Sequence, residues 1–186
     1  MPDMDANNTE KGTISICFVE EALRGIRQRG FDCNALLLQA GISPELLSSP
    51  QARVSSTHYG QLWHGIAQTL DDEFFGMDSH RMKAGSFTLL CHTLIHSDSL
   101  ERALRRALRF LGLVLDDMAG ELHCEAGVAR IVLRDTGAAA PKRAFAYGTY
   151  LLILHGLACW LVGRRIPVLR ADFRCPEPGF SSEWRI

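Results

Sequence analysis

The apolar period changes midway through residues 98–134, DSLERALRRALRFLGLVLDDMAGELHCEAGVARIVLR, and that change decides the fold. In the first half, Leu100, Ala103, Leu104, Ala107, Leu108, Leu111 and Leu115 recur at the three-and-four spacing of one helical face. Arg102, Arg105, Arg106 and Arg109 take the opposite face, and Asp98 with Glu101 resembles a capping box at the start. Beyond Asp116 and Asp117 the pattern alternates. Glu121-Leu122-His123-Cys124-Glu125 runs out, Ala126-Gly127 turns, and Arg130-Ile131-Val132-Leu133-Arg134 runs back as a hairpin. A helix feeding directly into a locally paired hairpin predicts an α+β protein, predominantly helical, with helices packed on a small antiparallel sheet.

Upstream, the pattern is helical throughout. Phe18, Ala22 and Ile26 mark a helix over 14–29 that Gly30 stops, and Leu36, Leu37 and Leu38 a short one over 34–40 before Gly41. Ser43-Pro44-Glu45 opens a further turn that Ser48-Ser49-Pro50 ends, because serine caps and proline suits the first helical position. Ser56 is the expected cap of a helix carrying Tyr59, Leu62, Trp63, Ile66, Ala67 and Leu70 as one stripe. A helix from Ser86 sets Phe87, Leu90, Cys91 and Leu94 on one side and His92 and His96 on the other.

Downstream, 144–163 (AFAYGTYLLILHGLACWLVG) holds no Lys, Arg, Asp or Glu and approaches the roughly 20 residues of a membrane span. Thr149, His155 and the flanking pairs Lys142-Arg143 and Arg164-Arg165 instead predict a core helix of a soluble protein, buried on every side. Residues 168–175 alternate Leu169, Ala171 and Phe173 with Arg170, Asp172 and Arg174, which predicts a third strand, and 180–186 begin another helical turn.

At 186 residues, 47% hydrophobic and 22% charged, the chain suits one folded domain over 14–186 behind a flexible polar segment, 1–13. A net charge of −1 excludes the basic excess of a surface that binds nucleic acid by itself. The six cysteines are scattered with no Cys-x-x-Cys pair, as expected of free thiols in a reducing compartment. No apolar leader opens the chain, so a cytoplasmic location without a membrane partner is expected.

Few residues suggest chemistry. His92 and His96 stand at a metal-binding spacing, but Thr93 replaces the glutamate of the zinc-protease signature, and two histidines leave a tetrahedral site half empty. Cys91 adjoins His92, yet neighbouring helix residues point about 100° apart. No catalytic residue, metal or cofactor is therefore expected. The arginine stripe fits either an anionic ligand or a solvated face. Tyr59, Trp63, Tyr147, Tyr150, His155 and Trp160 place polar tips in otherwise core-like helices, the composition of a small-molecule pocket or of a core satisfied by backbone groups. Of these, Tyr59, Trp63, Tyr150 and His155, with His92 and His96, are the candidate ligand-binding residues.

Several stretches in order resemble one family: Asp72-Glu73-Phe74-Phe75-Gly76-Met77, Arg81 to Cys91, Ser97 to Phe110, Trp160 to Pro167, and Asp172-Phe173-Arg174-Cys175-Pro176. Together they are similar to the arabinose-binding (non-cupin) N-terminal domain of AraC/XylS-type bacterial transcriptional regulators. Ala84 departs from the proline usual there. The resemblance implies a domain that senses a small-molecule effector and forms a homodimer, with the helix-turn-helix region that contacts DNA lying outside this chain. It implies no enzyme. The remaining alternatives are a metal- or thiol-dependent enzyme using His92 and His96, and a dimerisation module without a ligand.

Overall fold

A computed structural model describes residues 13–137 and 141–184. In chain order the elements are β1 (Thr13–Ser15), α1 (Ile16–Gln28), α2 (Cys33–Gln39), β2 (Arg53–Ser55), α3 (Ser56–Leu70), α4 (Ser86–Leu94), α5 (Leu100–Val114), β3 (Met118–Glu125), β4 (Val128–Asp135) and α6 (Ala144–Val162). Short 3₁₀ turns form at Pro44–Ser48 and Ser181–Trp184. The class is α+β and predominantly helical, as the period change requires. Residues 1–12, most of the segment expected to be flexible, lie outside the described residues, while Thr13 opens β1. The chain divides into two compact units, one ending at Thr69 and one beginning at Leu70.

In the first unit, β1 pairs antiparallel with β2, with Ile14 opposite Val54. Three-residue strands carry no readable period, and this pair was not expected. Asp32 caps α2, its Oδ1 accepting the N–H groups of Asn34 and Ala35 at 2.8 and 3.2 Å. The cap of α3 is Ser55, whose Oγ accepts from the His58 N–H at 3.1 Å. It falls one residue earlier than expected because β2 runs into α3 without a loop. Val19, Leu23, Ile26, Leu37, Leu62 and Ile66 are fully buried.

The second unit is built on the helix and hairpin. Ala103, Leu104, Ala107, Leu108 and Leu111 of α5 are buried in one core with Met118 and Leu122 of β3 and Tyr150, Leu154 and Leu157 of α6. Ser99 caps α5, its Oγ accepting from the Arg102 N–H at 3.3 Å, while Asp98 and Glu101 form ion pairs with Arg102 and Arg105. The expected box is thus shifted by one residue, because capping needs an oxygen three positions before its N–H. β3 pairs with β4 from Met118 opposite Asp135 to Glu125 opposite Val128. Ala126 (φ 49°) and Gly127 (φ 78°) between them are both left-handed, as a two-residue type I′ turn demands.

Two expectations need correction. Residues 168–175 form no strand: alternation alone does not make one without a neighbouring ladder, and Leu169 is 77% exposed. The sheets are therefore two pairs rather than one set of three strands. α6 is also not buried all round. It is long and apolar enough to cross a membrane by length and composition alone. One side, with Thr149, Tyr150, Leu154, Leu157 and Ala158, enters the core of the second unit, while Leu152 and Trp160 are exposed.

Leu154 lies at 0% exposure at the centre of that core. Leu154→Ala is expected to cost about 2–5 kcal/mol in denaturant unfolding, the sum of lost transfer energy and a residual cavity.

Candidate functional site

Three buried carboxylates hold the loop 71–85 against the start of the hairpin. Asp72 accepts the N–H groups of Phe74 and Met82 on Oδ1, at 2.9 and 3.0 Å, and that of Gly76 on Oδ2 at 2.8 Å. Asp78 accepts from His80 and Asp116 on Oδ1 and from Asp117 on Oδ2, at 2.9–3.0 Å. Asp117 accepts from the Ser79 N–H and hydroxyl, at 2.8 and 2.7 Å, and pairs with the Lys142 ammonium. Buried carboxylates persist only when hydrogen-bonded or paired, and here backbone N–H groups and one lysine meet that need. The Lys142 bond and then the Ser79 bonds hold the Asp117 carboxyl below its ordinary value. Glu73 accepts the N–H groups of Gly85 and Phe87 at 2.9 and 2.6 Å, placing a negative charge at the start of α4.

With the loop and strand fixed, α5 runs beside β3 and leaves an open groove of about 800 Å³, walled by Arg105, Leu108 and Arg109 on one side and 120–125 on the other. β3 pairs with β4 alone among the described strands. Because the residues flanking a two-residue turn form a hydrogen-bonded pair and such pairs alternate, Gly120, Leu122 and Cys124 turn their N–H and C=O groups away from β4. Arg105 Nη1 accordingly donates to the Leu122 carbonyl at 3.0 Å, and the same guanidinium bonds Glu101. Glu121 pairs with Arg134 at 3.0 Å and lies 3.5 Å from His123. Arg109 and Glu125 have no bonded partner among the described residues.

Under this groove lies Tyr150. A Cβ on Gly120 would stand 2.5 Å from a Leu108 methyl and 3.1 Å from the Tyr150 hydroxyl, so any larger residue there would have to displace the Leu108 side chain. Tyr150 is 1% exposed and meets Phe74 edge to face, the rings 6.4 Å apart at 88°. Its hydroxyl has no hydrogen-bond partner among the described residues, and burial pushes its pKa up to about 12. A buried hydroxyl left unpaired costs about 1–3 kcal/mol.

The other candidates are placed as follows. Tyr59 and Trp63 lie together on α3 in the first unit, rings 5.5 Å apart, with the Tyr59 hydroxyl donating to the Phe18 carbonyl at 3.2 Å. Burial drives the Tyr59 pKa well above the tyrosine range. His92 is exposed on α4, and His96 is exposed in the turn after that helix, which ends at Leu94. Among the described residues, no group of three or more His, Cys, Asp or Glu side chains is assembled as a metal would need. Burial raises the Cys91 pKa, opposite to what a nucleophilic thiol requires. His155 bonds the Ile166 carbonyl through Nε2 at 2.8 Å and lies 3.5 Å from Cys159 Sγ, which tethers the chain after α6. The first unit carries its own groove, where Leu36 of α2 and Ala40 just after it face Thr57, Gly60, Gln61 and His64 of α3. None of the six candidates forms the wall of either groove. The groove beside β3 was foreshadowed only by the arginine stripe and the alternation over 121–125.

A family model described as the arabinose-binding domain of AraC transcription regulators, N-terminal, matches residues 30–185. The chain is 25% identical over 181 residues to an ornithine utilization regulator of Pseudomonas aeruginosa, covering 92% of this chain and 51% of that protein. It therefore spans about half the length of the curated relative it matches. No solved structure matches it.

Asp117 supplies a pH test. A folded-state pKa below the ordinary 3.8 adds stability that is fully present above that value and is lost as pH falls through the folded value. Unfolding followed between pH 6 and pH 3 should show wild type losing more stability than Asp117→Asn. The two differ most at the upper end of that range.

Proposed function

The chain belongs to the arabinose-binding N-terminal domain family of AraC transcription regulators, and from that premise we propose that it is the effector-sensing and dimerisation half of such a regulator. A small molecule that binds one arrangement of the domain better than another shifts the population toward it, and that bias is passed to the DNA-binding part. DNA is contacted through a helix-turn-helix region outside this chain. A homodimer matches the two-fold logic of paired half-sites. The domain performs no catalysis, uses no metal or cofactor, and works in the cytoplasm.

The observation that carries the sensing role is the unpartnered Tyr150 hydroxyl under the groove between α5 and β3. A domain selected for stability alone gains nothing from a phenol there, whereas a ligand site uses such a group. Of the candidate contacts Tyr59, Trp63, His92, His96, Tyr150 and His155, the reading therefore centres on Tyr150. The Tyr59 and His155 tips already bond backbone carbonyls within the protein.

The test compares native and denaturing mass spectra of the purified chain and follows its melting against a library of small metabolites. The expected outcome is a dimer carrying, or stabilised by, one class of small molecule. A dimer that no metabolite binds or stabilises would replace the sensor with a ligand-free dimerisation module. Bound metal or turnover at His92 and His96 would favour the enzyme reading.

A further inference from the structure

We propose that the groove between α5 and β3 binds a free α-amino acid, an assignment that rests on the sensing role above and gives it a site and a ligand class. Each wall contributes one charge with nothing to pair it: the Arg109 guanidinium on α5 and the Glu125 carboxylate on β3. Between them runs the edge of β3 that faces away from β4, where Leu122 presents its N–H, its carbonyl being held by Arg105, and Cys124 presents both N–H and C=O. The floor, Leu108 and Gly120, is apolar, and the Tyr150 hydroxyl lies beneath it as a donor without an acceptor.

An α-amino acid answers each of these groups. Its carboxylate takes the Arg109 guanidinium, an edge N–H and, once the Leu108 methyl over Gly120 swings aside, the Tyr150 O–H. Its ammonium donates to Glu125 and to an edge carbonyl, and its alkyl stem covers the floor. Charge-assisted bonds of this kind are the strong ones, and a guanidinium suits a carboxylate in particular. Other chemistries fit less well. A phosphate faces the like charges of Glu121 and Glu125, and a diamine those of Arg105 and Arg109. A neutral sugar leaves both unpaired charges unanswered. No other charged pair along the groove is free, since Arg105 is held by Glu101 and Glu121 by Arg134.

The test is calorimetric titration of the 186-residue chain with L-leucine and L-lysine. Isoamylamine and cadaverine, which lack the carboxylate, 4-methylvalerate, which lacks the ammonium, inorganic phosphate and arabinose serve as comparison probes. At least one amino acid is expected to bind, and at least tenfold more tightly than its decarboxylated or deaminated counterpart. Arg109→Gln and Glu125→Gln are each expected to weaken that binding at least tenfold with unchanged melting of the free chain, because both side chains are exposed and unbonded. Tyr150→Phe should weaken it severalfold without lowering the free chain's melting temperature, an outcome that a purely structural tyrosine would not give. Failure of both amino acids to bind, or equal binding by the amine, by phosphate or by the Arg109→Gln chain, overturns the assignment. If another metabolite binds and Arg109→Gln leaves its affinity unchanged, the amino-acid site falls while the sensing role stands. If no metabolite binds at all, both fall.

Discussion

Asp78 joins two segments far apart in sequence through one side chain: one oxygen takes the N–H groups of His80 and Asp116, the other that of Asp117. Asp117 is thereby aimed back at Ser79 and across to Lys142, just ahead of α6. Asp72 closes the front of the same loop on Phe74, Gly76 and Met82. Each bond is modest in net terms, but a buried carboxylate with one partner missing would be costly, so the set is held together or lost together. It fixes where β3 begins. The position of the strand relative to α5, and with it the width of the groove, follows from these acids.

How much of this was legible in the sequence depended on whether the signal was periodic. The α5 stripe and the alternation of the hairpin span many residues and repeat their message, so both elements were readable. The Ala126-Gly127 turn was readable too, because few residue pairs accept two left-handed positions. The β1–β2 pair was not, since three residues hold no period. The strand expected at 168–175 failed for the complementary reason: a pattern was present, but no partner strand lies beside it. The buried acids were invisible because a carboxylate in the aperiodic stretch from Asp71 to Asp78 or at Asp117 gives no periodic signal, and only the fold turns those carboxylates inward.

The candidate residues divide along a similar line. Polar tips are costly in a core, and sequence alone does not say which of them the backbone will satisfy. Tyr59 finds the Phe18 carbonyl and His155 finds that of Ile166, so both tips already have a partner within the protein. Tyr150 finds none. What separates it from Tyr59 is its neighbour across the core. Gly120 brings β3 backbone against the phenol, and as a strand-edge position its N–H and C=O point sideways rather than down to the hydroxyl. The missing partner is thus a consequence of strand geometry, which a single helix pattern cannot reveal.

The arginines of α5 show how local pairing selects one charge for use elsewhere. Arg102 is spent on Asp98 and Arg105 on Glu101, both four residues earlier, where an acid N-terminal to a base is the favourable order. Arg106 donates to the Ser97 hydroxyl at 3.0 Å. Four positions before Arg109 stands Arg105 and three before it Arg106, so the helix offers it like charges instead of a partner. Its guanidinium therefore gains from an anion supplied from outside the helix. A carboxylate beside it would relieve the like-charge repulsion from Arg105 and Arg106. That relief biases the groove toward anionic groups before any shape fit is considered.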